Sequence, residues 1–176
     1  MRNNSIKPNS TKNSLLLRNK LVQANSNVNS NNRNEITPVA KPIVDFGKNP
    51  ISFNISKATE ENDDYRRTIW TGENLQATLM NIKEGSDIGL EVHPNTDQFI
   101  RIEKGSGQVQ MGESKDNLTY VQPIFEDSAV FIPAGTWHNI VNTGNEDLKI
   151  YTIYAPPHHP KGTVHVTREQ AEIEGD

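Results

Sequence analysis

Three residues able to hold a cation stand close together in one stretch: Glu91, His93 and Gln98, between Gly85 and Gly105. A fourth, His138, lies in a second stretch, Asp127 to Asn142. Two imidazoles and one carboxylate (His93, His138, Glu91) form the donor set suited to Fe(II) with open positions, and Gln98 can add a neutral oxygen. Mn, Zn and Ni accept the same nitrogen and oxygen donors, so ligand type leaves the divalent metal open among Fe, Mn, Zn and Ni. With a single carboxylate, a divalent ion leaves the site net positive. That charge suits a small ligand carrying hydroxyl, carboxylate or phosphate groups, polarised by the ion as a Lewis acid. The chain has no cysteine. Disulfides, thiol catalysis and cysteine-based zinc sites are therefore excluded.

Such residues need strands to aim them. In a strand, positions i and i+2 share a face, so Glu91 and His93 point together. Pro94 to Asp97 reads as a turn, and Gln98 then opens the next strand. If Gln98 faces the interior, Ile100 and Ile102 follow it inward and Asp97 points away. Short β-rich runs recur from Ile51 onward: Ile51–Ser56, Arg67–Thr71, Leu75–Ile82, Gln98–Glu103, Gln108–Met111, Leu118–Ile124, Ala129–Ile132, Trp137–Val141 and Leu148–Tyr154. Turn clusters separate them, among them Lys104-Gly105-Ser106-Gly107 and Pro133-Ala134-Gly135. Many short strands with regular turn signals predict an all-β sandwich or barrel.

The spacing of the two stretches resembles the paired motifs of the cupin superfamily. The first motif has Gly, five residues, His-x-His, three or four residues, Glu, six residues and Gly. Here Gly85 is followed by five residues, Glu91-Val92-His93, four residues, Gln98, six residues and Gly105. Glu91 thus replaces a His and Gln98 replaces the Glu. The second motif has Gly, five residues, Pro-x-Gly, two residues, His, three residues and Asn. Here Asp127 stands at the first Gly, before Pro133-Ala134-Gly135, His138 and Asn142. Residues 75–165 are also similar to small stand-alone bacterial cupins labelled mannose-6-phosphate isomerase-like, down to a Tyr151–Pro160 run. The resemblance implies a double-stranded β-helix (a jelly-roll or cupin barrel) with the metal inside, and a homodimer. It implies metal-dependent binding of a small polar molecule, such as a sugar or sugar phosphate. The alternative is a metal-dependent enzyme, a sugar isomerase or an Fe(II) dioxygenase. With Glu91 on the metal, no second carboxylate is assigned as a base, so the catalytic residues stay open.

Other residues have plainer readings. Gly105-Ser106-Gly107 reads as a hairpin turn, and Phe131 and Trp137 as core or rim packing. Tyr151 and Tyr154 fall on opposite faces of one strand, so at most one reaches the cavity. Arg101 alternates with the inward isoleucines and belongs to the surface or a dimer contact. His158, His159 and His165 could form an external metal site, but the prolines around His158 and His159 favour an ordered flap or dimer arm. Thr167-Arg168-Glu169-Gln170 reads as a capping box opening a short helix.

The chain divides by composition into three parts: a disordered Asn/Ser-rich basic tail and linker over 1–45, the barrel over 46–160, and a C-terminal arm with a short helix over 161–176. Residues 1–34 hold six basic residues and no acidic one. Taking those six from the 18 basic residues leaves 12 against 22 acidic ones, a net charge of −10 on the remainder. An acidic body is unsuited to nucleic acid, because phosphate neutralisation needs clustered Lys and Arg. No apolar run reaches the roughly 18 residues a membrane span needs, so no membrane partner is expected. The expected location is cytoplasmic. The basic, acid-free tail with its Leu15–Val22 patch gives organellar transit as the alternative.

Overall fold

The computed structural model describes residues 45–174. The tail, its Leu15–Val22 patch and the start of the linker lie outside the described residues. Among the described residues, nine strands run in the order β1 (Arg66–Thr71), β2 (Gln76–Ile82), β3 (Asp97–Lys104), β4 (Ser106–Gly112), β5 (Tyr120–Phe125), β6 (Ala129–Ile132), β7 (Trp137–Val141), β8 (Leu148–Ala155) and β9 (Val164–His165). Helix α1 (Ile55–Glu60) precedes them and helix α2 (Arg168–Glu174) follows. Six strands form one sheet in the order β6-β3-β8-β2-β1-β9, and three form a second in the order β5-β4-β7. All pairings are antiparallel. This is an all-β jelly-roll architecture: the strand pattern predicted a sandwich or barrel, and the motif resemblance implied the jelly roll.

The inner face of the larger sheet changes character along its strands. Met80 pairs with Ile150, which pairs with Ile102, and Ile82 pairs with Leu148. These residues are buried in the main apolar cluster with Val109 and Ile140 of the smaller sheet. Toward the other end, Thr78 pairs with Thr152, and Gln76 pairs with Tyr154, which pairs with Gln98. All of these are buried too. The barrel therefore has an apolar end that holds the sheets together and a polar end available for chemistry. Buried polar groups need partners, so such an end persists only where hydrogen bonds or a ligand satisfy it.

Every residue of β2 is buried. One face lies inside the barrel. On the other, Ala77 and Leu79 pack with Ile69, Ala58 of α1, Trp70, Tyr151 and Ile153. Helix α1 corrects the strand expected over Ile51–Ser56. The Asn54 side chain caps it by accepting from Lys57 N at 3.0 Å, and Lys57 to Glu60 are mostly helix formers. The β-branched and aromatic residues just before it carried the misleading strand signal.

Residues 45–50 lie against β1. Phe46 N donates to Ile69 O at 2.9 Å. Asp45 accepts from Thr71 N at 3.0 Å, Thr71 Oγ1 at 2.6 Å and Gly162 N at 3.2 Å. At the other end of the described residues, Thr167 caps α2 as expected, while the Gln170 side chain reaches one residue further back than a capping box requires. Gln170 N donates to Thr167 Oγ1 at 3.3 Å, and Gln170 Oε1 accepts from Val166 N at 2.9 Å. Among the described residues no helix is long and apolar enough to cross a membrane.

Candidate metal centre

Glu91 is not in a named strand, yet it pairs as one. Glu91 N donates to His138 O at 3.0 Å, and His138 N donates to Glu91 O at 2.9 Å. The two residues thus face each other across an isolated antiparallel bridge on the edge of β7. Residues so paired carry their side chains on the same face, about 4.5–5.5 Å apart at Cβ. This is how two positions 47 apart in sequence reach one point. Glycines with positive φ stand at the bends that flank the site, Gly85 (φ 71°), Gly105 (φ 88°) and Gly135 (φ 79°).

Two contacts fasten the Pro133–Gly135 turn to the first stretch. Gly135 N donates to His93 O at 2.9 Å. Ala134 N donates to Asp97 Oδ1 at 2.8 Å. Asp97 therefore points outward, as strand parity requires, and Gln98, Ile100 and Ile102 are buried.

Glu91, His93 and His138 bring one donor atom each to within 4.8 Å of one another. Glu91 Oε1 lies 3.3 Å from His93 Nε2 and 3.2 Å from His138 Nε2. Two donors bound at about 2.1 Å to one ion sit about 3.0–3.4 Å apart, so these spacings suit a shared ion. The ring orientation supports the fit. His138 Nδ1 is 2.9 Å from Thr136 O. A carbonyl only accepts, so Nδ1 holds a proton and Nε2 is the ring atom turned to Glu91, the one an ion would bind. Burial raises the Glu91 carboxyl, but its contacts with His138 and His93 outweigh it and hold the group well below the usual carboxylate range. Glu91 is thus an anion.

Gln98 lies in the row that contains Tyr154, whose ring is 5.6 Å from that of His93. Its Nε2 donates to Thr152 Oγ1 at 3.1 Å. That leaves Oε1 buried and with no hydrogen-bond partner among the described residues. An orphaned buried carbonyl oxygen at the polar end of the barrel is available as a neutral donor. The residues present fit a divalent cation.

Sequence reasoning missed three neighbours. Arg66 is buried on β1, with its Nη2 4.0 Å from Glu91 Oε2. His158 and His159 are not external, which corrects the outward reading of that segment. The His158 ring lies 4.1 Å from that of His93, and His159 meets Tyr154 edge-on at 5.1 Å. Burial, and then the charge of Arg66, push the His159 imidazole down to about 2. His165 is buried 3.3 Å from Glu174 and away from these rings. The doubled His inside a proline-rich run was the available signal for the first pair. Arg66 carried none beyond its place one residue before an expected strand.

Tyr154 is the inward tyrosine and Tyr151 packs outside. Arg101 pairs with Asp127 on the surface. Phe131 is not in the core: it is 72 % exposed on edge strand β6, packing at the rim 5.0 Å from Phe99. Trp137 is half-buried. A cavity of about 330 Å³ reaches Glu91 from outside, lined by Arg66, Leu90, Arg168 and Glu172 among others.

The comparisons with known proteins agree with this geometry. The cupin domain model matches residues 78–154. The uncharacterized protein YrkC of Bacillus subtilis is 55 % identical over 129 residues, which is 73 % of this chain and 69 % of that protein. The uncharacterized protein L612 of Acanthamoeba polyphaga mimivirus is 44 % identical over 119 residues, 67 % of this chain and 72 % of that protein. The crystal structure of BH2720 from Bacillus halodurans superposes with a TM-score of 0.73 at 55 % identity, covering 74 % of this chain and 98 % of that one. With its two spaced motifs folded into one barrel, the chain belongs to the cupin family.

Proposed function

We propose that this protein holds a divalent metal through Glu91, His93, His138 and the amide oxygen of Gln98, and binds a small polar ligand there. The observation that carries the reading is the convergence of one donor atom each from Glu91, His93 and His138 within 4.8 Å, with Glu91 Oε1 3.2 Å from His138 Nε2 and His138 Nδ1 turned to Thr136 O. When bound, the ion would supply Lewis acidity toward a hydroxyl, carboxylate or phosphate oxygen. The protein's own contribution is a buried polar end of the barrel and a buried guanidinium, Arg66, 4.0 Å from the carboxylate. That charge balance favours an oxygen-rich ligand, and a sugar or sugar phosphate fits the description.

Metal analysis of natively purified protein tests the reading. About one ion per chain is expected in the wild type, and none in the Glu91→Ala/His138→Ala double variant. Substoichiometric metal in the wild type, even after reconstitution, would sink it. Stabilisation by a sugar phosphate in a thermal melt, present only with metal, tests the ligand class.

The two-His, one-carboxylate set favours a second reading, a metal-dependent enzyme. Oxygen uptake with Fe(II) across a substrate panel would mark a dioxygenase. Aldose–ketose interconversion of mannose 6-phosphate would mark an isomerase. Absence of turnover with every metal tried, with ligand binding intact, leaves the binding module. A homodimer belongs to the same reading, and light scattering on the purified chain decides it.

A further inference from the structure

A metal-bound imidazole ordinarily donates its second N–H to a fixed acceptor, and that bond sets the ring's orientation. His138 has this device in Thr136 O. His93 does not: its Nδ1 is buried and has no hydrogen-bond partner among the described residues. Its ring is instead enclosed by other rings. His158 lies at 4.1 Å with an interplanar angle of 55°, and Tyr154 stands edge-on at 5.6 Å. The His158 contact is the tightest of these and comes from a segment far down the chain.

That segment is itself clamped. Gln76 is fully buried on β2. Its Oε1 accepts from His158 N at 3.2 Å and His159 N at 2.9 Å. Its Nε2 donates to His159 O at 2.8 Å and Thr71 Oγ1 at 3.0 Å. One side-chain amide thus fixes the backbone of two successive residues, and Pro156, Pro157 and Pro160 restrict the rest of the segment.

We propose that His158 is a positioning residue for the metal ligand His93. Its ring, held by the Gln76 clamp, does by packing what the Thr136 carbonyl does for His138 by hydrogen bonding. The proposal rests on the metal reading above. It makes the ring of His158, not its nitrogens, the functional part. His158 itself is not among the atoms that converge within 4.8 Å.

The test uses the full chain and Co(II) alone, with affinity read by competition against a chromophoric chelator. His158→Ala is expected to weaken Co(II) binding by about ten- to a hundredfold, the usual effect of losing an orienting neighbour. His158→Phe keeps a ring in place and is expected to stay close to wild type. Gln76→Leu, which frees the segment, is expected to behave like His158→Ala. Paramagnetic proton NMR of the Co(II) protein gives a second readout. The His93 ring signals should move in His158→Ala while the Nδ1 proton of His138 stays.

Wild-type affinity in His158→Ala overturns the proposal. So does a His158→Phe variant as weak as His158→Ala, since that assigns the role to a nitrogen. A wild type that takes up no Co(II) overturns the metal reading itself, and the proposal with it. Should Gln76→Leu fail to fold, the two His158 variants decide alone.

Discussion

The two histidines of the centre are held by different means. His138 sits on β7, within a regular ladder, and the backbone does all the work: a bridge to Glu91 and a carbonyl on Nδ1. His93 sits on an irregular segment ahead of β3; its carbonyl accepts from Gly135 N, but side chains hold its ring: the ring of His158 and, behind that, the Gln76 amide. A backbone-held ligand depends on local sequence and survives most side-chain changes around it. A ring-held ligand depends on a segment that reaches it from far along the chain. The difference says where the site should be robust and where it should fail.

Glu91 joins the two sides, since one oxygen faces both imidazoles. Replacing it should therefore have the largest effect and should not discriminate between them. Glu91→Gln keeps the shape and removes the charge. Metal affinity should fall by more than about a hundredfold, beyond the range expected for an orienting neighbour. A Glu91→Gln protein that still takes up one ion per chain would show that the two histidines suffice.

Acid should separate the two sides. In the unfolded chain His159 takes up a proton below its ordinary value of 6.5, whereas burial holds it neutral in the fold until about pH 2. Between those values the unfolded chain binds more protons. Stability is therefore fully present above pH 6.5 and falls as pH falls, by up to about 1.4 kcal/mol per pH unit. Since His159 belongs to the clamped tail, acid should loosen the His93 side first. Urea melts of metal-free protein between pH 7 and 5 measure the slope, and His159→Asn should flatten it. An unchanged slope in that variant would assign the acid sensitivity elsewhere.

What the sequence made legible follows the same division. Strand parity distinguished buried Gln98 from outward Asp97, and motif spacing brought Glu91, His93 and His138 together. The first rests on local periodicity; the second rests on the resemblance to the paired cupin motifs, since Glu91 and His138 lie 47 positions apart. Gln76, Arg66 and His158 escaped both because their roles exist only across the sheet. The Gln76 contacts to His158 and His159 span 82 and 83 positions. No window of the chain contains both partners. The Ile51–Ser56 error is local and of a different kind: strand-favouring residues directly precede the Asn54 cap.

Two aspartates allow the comparison to be repeated away from the metal. Asp45 ties the tail side, accepting from β1 and from Gly162. Asp97 ties the turn before β7 through one bond to Ala134 N. Hydrogen bonds to a charged acceptor contribute about 1.5–3 kcal/mol each when well formed, and less when exposed. Asp45→Ala should cost about 2 kcal/mol and Asp97→Ala about 1 kcal/mol in denaturant melts. Only Asp45→Ala should also weaken metal binding, because only it loosens the segment that carries His158. Equal losses of metal affinity would erase the distinction between the two sides.

The smallest effect is expected at Asp127, where the second motif has lost its first glycine. Asp127 adopts φ 70°, in the left-handed region where a Cβ is disfavoured by about 1–2 kcal/mol, less for Asp. An ion pair with Arg101 holds it there. The aspartate is 81 % exposed at its side chain, so that pair contributes at most about 1 kcal/mol. Asp127→Gly gives up the pair and relieves the backbone, so the two changes offset and stability should stay within about 0.5 kcal/mol of wild type. Asp127→Ala loses the pair and keeps the strain, so it should be the less stable of the two by about 1 kcal/mol. Metal affinity should be unchanged in both, because the turn lies before β6 and His138 is anchored by its own bridge. A loss of metal in Asp127→Gly would mean that the backbone-held side reaches further along the chain than the Glu91 bridge and the Thr136 carbonyl.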